Sequence, residues 1–185
     1  QMGEQAIVKA SGYDLLALGH WEPNGSQCTV NRVLERSFTQ LAHRYDLILF
    51  DHEAGVEHMG RFAAIPLHLL LLMATPEPLS LAVAARILER RNEVSRQIDQ
   101  TWLILNRVHD GDCDEPAYLQ ALQQLPVSKT VAHLPESLAL RRIQGMLLSP
   151  LTLASQEPWA RAVADLCKRL TRQIERLQKT KREAA

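Results

Sequence analysis

The chain has 185 residues, 46% of them hydrophobic and 23% charged, which is enough for one domain with a real core. Lysine plus arginine and aspartate plus glutamate stand at 21 each, so no net field draws the molecule onto nucleic acid or an anionic bilayer, and neither is an expected partner. Cys28, Cys113 and Cys167 form no CxxC pair and are too few for a disulfide framework, which points to a reducing, cytoplasmic setting.

The opening Gln1-Met-Gly-Glu-Gln5 has no basic region followed by an apolar run, so no signal peptide is expected. Because the chain starts at Gln1 and not at Met, there is room for a segment upstream. Residues 13–19 are an apolar run ending at a loop with Pro and Gly, residues 20–26, and predict a strand. Val30, Val33, Leu34, Phe38, Leu41 and Ala42 recur at helical spacing and predict an amphipathic helix. Residues 47–51 predict a second strand and residues 60–65 a short helical turn. The longest apolar run, residues 65–75, is interrupted by Pro66 and His68 and falls short of the ~20 residues a membrane helix needs. Residues 67–74 therefore predict a buried third strand.

Thr75-Pro-Glu-Pro78 closes that strand and leads into a helix over 79–98, followed by a fourth strand over 101–107. The acidic turn 110–116 precedes a helix over 117–125, and residues 130–134 predict a fifth strand. Pro135 and Ser137 open a helix through Gly145. After a loop containing Pro150, a last helix starts at Trp159. Its apolar stripe is Trp159, Val163, Leu166, Leu170, Ile174 and Leu177, with Cys167 expected on the core side. Residues 1–178 predict one nucleotide-binding-type domain and residues 179–185 a solvated tail.

Continuous apolar strands alternating with helices give an α/β class, a mostly parallel sheet flanked by helices. Ligands in such sheets lie beyond the carboxyl ends of the strands. That rule assembles residues 19–28, 51–55, 75–78, Asn106-Arg107 and Pro135-Glu136 along one edge. The most informative stretch runs from Tyr45 to Arg61, where an apolar strand ends in Asp51 and a glycine turn comes next at Gly55. An Asp at such a strand end can hold the Mg²⁺ of a bound nucleotide through water, and a nearby Gly amide can sense the terminal phosphate. The competing reading of Asp51 is a helix cap.

Glu53 and Glu57 read either as solvated residues or as groups that position an attacking water or a partner subunit. His52 and His58 are six apart with Gly55 between them, so the His-Glu-x-x-His geometry of zinc proteases does not apply. Cys28 is either a small buried side chain or a metal or dimer contact. Cys113 lies among Asp110, Asp112, Asp114 and Glu115, a loop that attracts a cation or is simply solvated. Asn106 offers both a donor and an acceptor to a base, or is a strand-end turn residue.

Three blocks together resemble the MinD/ParA class of dimerising P-loop ATPases, and within it the CooC-type accessory ATPases that mature nickel carbon monoxide dehydrogenase. Residues 13–34, a strand, a Gly/Pro loop with one Cys and Asn31-Arg-Val-Leu34, are similar to that family's Cys-x-Cys loop and helix start. Asp51-His-Glu-Ala-Gly-Val-Glu-His-Met-Gly-Arg61 is similar to its Asp-x-Glu-Ala-Gly-x-Glu-His-Leu-x-Arg segment. Leu105-Asn106-Arg107 and Leu134-Pro135-Glu136 are similar to the strand ends that hold the adenine base.

The resemblance implies ATP with Mg at Asp51 and Gly55, Glu53 as a catalytic residue, and base contacts at Asn106, Arg107, Pro135 and Glu136. It implies a homodimer with carbon monoxide dehydrogenase as client, and nickel or zinc at Cys28. Two departures accompany it. The sequence carries no Gly-rich loop followed by Lys-Ser/Thr, so the chain is expected to lack the family's first strand and phosphate loop and not to hydrolyse ATP alone. The family's Cys-x-Cys is here Ser26-Gln27-Cys28, and one thiolate per subunit cannot build a shared four-sulfur site. The alternatives are a non-catalytic interaction remnant of such an ATPase and a MinD/ParA-type positioning ATPase.

Overall fold

The computed structural model describes residues 7–16, 38, 41–51, 67–94, 98–125, 127 and 129–183. The chain divides into two units, Gln1–Ile65 and Pro66–Ala185.

In the second unit three parallel strands lie in the order β3-β4-β5: β3 (Leu67–Ala74), β4 (Ile98–Val108) and β5 (Lys129–Pro135). The middle strand shows why so apolar a run folds this way. Its side chains alternate between faces, and both faces are covered. Leu103 and Leu105, each 0% exposed, point into one cluster with Leu81, Ala84 and Leu88 of α1 (Pro78–Val94) and Tyr118 of α2 (Pro116–Gln123). Trp102 and Ile104 point into the other, with Leu134 of β5 and Leu166 of α4 (Pro158–Glu183). The spacing of Leu81, Ala84 and Leu88 is the i, i+3, i+7 pattern that sets one helix face on the sheet. Burying each such leucine stabilises the fold by about 1.5–3 kcal/mol before cavity terms. The α/β class with helices on both faces of a parallel sheet is as the sequence predicts.

Element ends obey local chemistry. Pro78 occupies the first turn of α1, where a missing N–H costs nothing, and the Thr75 amide donates to Ser80 Oγ at 3.0 Å. Ser137 caps α3 (Leu138–Gly145), its hydroxyl accepting from the Leu140 amide at 3.0 Å. The same hydroxyl donates to Glu157 Oε1 at 2.7 Å, tying the start of α3 to the turn before α4.

The first unit holds a hairpin that sequence patterning does not predict, β1 (Ile7–Ala10) antiparallel to β2 (Tyr13–Leu16). It turns through Gly12 at φ +89°, a conformation glycine adopts without a Cβ clash. The Tyr45 hydroxyl donates to Asp14 Oδ2 at 2.6 Å, and this bond, with some burial, raises the Tyr45 pKa. Phe38 and Phe50 meet edge to face with centroids 4.7 Å apart.

Four expectations need correction. The strand expected over 47–51 does not form, and Leu47 and Leu49 are 58% and 80% exposed. A strand exists only as a rung of a ladder, and no strand among the described residues pairs with this run. The helix expected over 79–98 ends at Val94, because Ile98 is drawn into the ladder opposite Leu67. Cys167 is exposed and not core, since one residue past Leu166 is about 100° around the helix and leaves the sheet-facing stripe. The expected strand over 13–19 is paired at Tyr13–Leu16, but in the hairpin and not in the parallel sheet.

The final helix runs through Glu183, including most of the residues expected as a tail. The helix expected around Val30 to Ala42 is described only at Phe38, Leu41 and Ala42, all helical. The turn expected over 60–65 lies outside the described residues.

Candidate functional site

The carboxyl ends of the three parallel strands form one rim. Ala74 lies opposite Leu105, and Leu105 opposite His133, so Thr75, Asn106 and Leu134 emerge side by side. Asn106, half-buried, ends the regular part of the central strand. The register slips between Asn106 and Val108, and the extra residue is Arg107, whose φ of +60° is left-handed. Such a bulge re-aims a side chain at a strand end, and a non-glycine residue in that region stores strain. The neighbouring strand end is fastened to it, with the Glu136 amide donating to the Val108 carbonyl at 3.0 Å.

The strain at Arg107 is countered by charge. Its Nε donates to Glu136 Oε2 at 3.0 Å, and Arg141 Nη2 donates to the other carboxylate oxygen. The Glu136 side chain is only 12% exposed, while Arg107 and Arg141 are 59% and 57% exposed. The Arg107 hydrogen bond, together with that of Arg141, holds the Glu136 carboxyl below the usual glutamate range against an opposing push from burial. Asn106, Arg107, Pro135 and Glu136, four of the residues singled out in the sequence, are thus brought together.

Sequence reasoning misses Arg141, although a signal for it exists. With Ser137 as N-cap, Glu136 and Arg141 occupy the positions before the cap and at the fourth helical residue, the pair that apolar side chains use as a staple. Here the staple is ionic.

Asp51 belongs to the first unit and is exposed, so the burial cost that would demand a charge partner does not apply to it. Cys28, His52, Glu53, Gly55, Glu57 and His58 lie outside the described residues. Among the described residues no cluster of three or more His, Cys, Asp or Glu side chains could hold a metal ion. The acidic turn is instead structural: Asp112 Oδ2 accepts from the His109 amide at 2.7 Å, and Cys113, half-buried, packs on the core with its Sγ 3.9 Å from His133 Nδ1. Tyr118 beside it is 3% exposed, and burial together with Cys113 pushes its hydroxyl up to about 12. No helix among the described residues is long and apolar enough to cross a membrane.

No family model matches the chain. It is 29% identical over 134 residues to an uncharacterised ATP-binding protein of Methanocaldococcus jannaschii, covering 69% of this chain and 53% of that protein. It is 36% identical over 87 residues to the carbon monoxide dehydrogenase accessory protein CooC of Rhodospirillum rubrum, covering 45% of this chain and 33% of that protein. Among solved structures it is similar to the MinD cell division protein of Aquifex aeolicus, with TM-score 0.67, 22% identity, and 91% of this chain and 69% of that one covered. The MinD cell division ATPase of Pyrococcus furiosus gives TM-score 0.57 and 21% identity over 77% of this chain and 59% of that one.

The fold is that of the MinD/ParA class of P-loop ATPases. Within that class the chain is related in sequence to CooC and to archaeal ATP-binding proteins. It spans about half or less of the length of these curated relatives, 53% of the Methanocaldococcus protein and 33% of CooC.

Proposed function

We propose that this chain is the base-binding and client-facing part of a CooC-like, nucleotide-dependent maturation factor that assists nickel insertion into carbon monoxide dehydrogenase. The observation that carries the reading is the rim where Asn106, Arg107, Pro135 and Glu136 converge, at the edge where parallel sheets bind ligands. Sequence identity with CooC supports the same reading. The donor set suits an adenine base: a side-chain amide that both donates and accepts, beside a strand end stiffened by an ion triad. ATP would be held through a homodimer, with its base on this rim.

Asp51, Glu53 and Gly55 would serve the phosphate end, Asp51 through water on Mg²⁺ and Gly55 through its amide. Bound Mg²⁺ supplies charge neutralisation for the phosphates. Hydrolysis also needs a lysine-bearing phosphate loop, which these 185 residues do not contain. Cys28 would meet nickel or zinc as cargo with one thiolate per subunit, a weaker hold than a paired Cys-x-Cys. A membrane- or DNA-positioning role is less well supported, because the equal counts of acids and bases provide no steering field.

The test is titration calorimetry of the full chain with ATP and with GTP in the presence of Mg²⁺, beside nickel activation of apo carbon monoxide dehydrogenase. ATP is expected to bind more tightly than GTP, Asn106→Ala to weaken ATP by about tenfold, and the chain to lower the nickel concentration that activation requires. Equal affinity for both nucleotides and an unchanged nickel requirement would overturn the proposal.

A further inference from the structure

The segment from α3 to the turn before α4 carries large apolar side chains in the open. Leu147 and Leu151 are 95% and 94% exposed, and Met146 and Leu138 are 69% and 65%. Monomeric proteins rarely leave such side chains contiguous without a use for them. Leu138, Arg142 and Met146 recur at four-residue spacing and so share one face of α3, while Leu140 and Ile143 are half-buried.

The backbone holds this knuckle at a cost. The helix ends in a Schellman motif, the Leu148 amide donating to the Ile143 carbonyl and the Leu147 amide to the Gln144 carbonyl, each at 3.0 Å. The left-handed residue in that motif is ordinarily glycine, yet here it is Leu147 at φ +56°. Gly145 stands two positions earlier, inside the helix. The turn beyond Leu147 is stiff as well: Ser149 Oγ accepts from the Leu151 amide at 3.2 Å, and Thr152 Oγ1 donates to the Ser149 carbonyl at 2.7 Å. A strained leucine presented to solvent on a braced turn is the kind of outlier from which an inference of function properly runs.

Charge selects the occupant. Between Glu136 and Glu157 there is no acidic residue, and the only charged residues are Arg141 and Arg142. Glu136 engages Arg141, while Arg142 is exposed beside Leu138 and Met146. A second copy meeting this face symmetrically would set Arg142 against its own like charge. Two arginines are also well short of the roughly four to eight that anionic bilayers recruit.

We propose that this knuckle docks into an apolar cleft rimmed by carboxylates on the client enzyme. The inference rests on the function proposed above and adds the surface through which the client is met. Leu147 and Leu151 fill the cleft, and Arg142 pairs with its rim.

The experiment measures binding of the full chain to immobilised apo carbon monoxide dehydrogenase, with nickel activation in parallel, for the wild type, Leu147→Gly, Leu147→Gly/Leu151→Ser and Arg142→Glu. Leu147→Gly is expected to raise the melting temperature by about 2–4 °C as strain is relieved and to weaken binding by about tenfold. A gain in stability with a loss in affinity is something a purely structural role would not produce. The double variant is expected to weaken binding by about a hundredfold. Arg142→Glu is expected to slow association most at low salt.

If the wild type binds and activates the client and the double variant does so equally well, the docking surface is wrong and the proposed function stands. If the wild type neither binds nor activates, both fall. Should the variants instead lose self-association in sedimentation, or lose flotation with phosphatidylserine vesicles, the surface belongs to a second copy or to a bilayer and the docking proposal is overturned.

Discussion

Two apolar runs in this chain look alike on paper and behave oppositely. Residues 101–105 of β4 are buried throughout, with Leu103 and Leu105 at 0% exposure. Residues 47–50 contain Leu47 and Leu49 at 58% and 80%. The difference lies in neighbours. β4 has β3 on one side and β5 on the other, with α1 and α2 over one face and α4 over the second. Among the described residues the other run has no strand beside it. An apolar pattern states a capacity for burial, and the ladder and covering helices determine whether that capacity is used.

The sharpest way to break this comparison is to truncate both runs. Leu103→Ala is expected to destabilise by about 2–5 kcal/mol in urea unfolding, since it removes buried methyls between two covered faces. A smaller loss would mean that β4 is not the packed centre. The next effect sits under the same sheet, at Tyr118. Its folded-state pKa is raised to about 12 from 10.0, so the stabilisation is complete below the unfolded value and is lost as pH rises through the folded one. Between pH 10 and 12 the wild type should lose about 2 kcal/mol that Tyr118→Phe does not, as read from unfolding midpoints against pH. Parallel curves would show that this tyrosine ionises freely.

Glu136 sharpens the comparison at the rim, where the sign is reversed. Its folded pKa is lowered by Arg107 and Arg141, so its contribution is present above the ordinary glutamate range and disappears as pH falls through the lowered value. Melting curves of wild type and Glu136→Gln should therefore differ at pH 7 and converge in acid. A constant offset would mean that the ion triad does not form in solution. The smallest effect is expected for Leu49→Ala, within about 0.5 kcal/mol. If it equals that of Leu103→Ala, the two runs are alike after all and the exposed one is packed in solution.

Much of the second unit is legible in the sequence. The strand predicted over 67–74 has its observed bounds, and the others agree within a few residues. Ser137 is recognisable as a helix opener because a hydroxyl before an apolar run satisfies an orphan amide. Asn106, Arg107, Pro135 and Glu136 are recognisable as strand-end residues, and the structure does join them. Arg141 escapes notice because its role depends on a carboxylate five positions away across a cap, a pairing that only α3 creates. Cys167 is misplaced because a helical stripe has edges that periodicity alone does not draw, and the sheet covers Leu166 without reaching its neighbour.

Periodicity, punctuation by Pro, Gly and Ser, and the run of strand-end motifs sufficed, without coordinates, to establish an α/β chain with its ligand edge at the carboxyl ends of its strands. Those signals are local, and local chemistry writes them directly into neighbouring residues. Which apolar run became a strand, the left-handed turns at Arg107 and Leu147, the ion triad around Glu136 and the exposed knuckle were decided only by tertiary structure. Each depends on contacts between residues far apart in the chain or on a backbone geometry that those contacts enforce, and no single stretch of sequence carries that information.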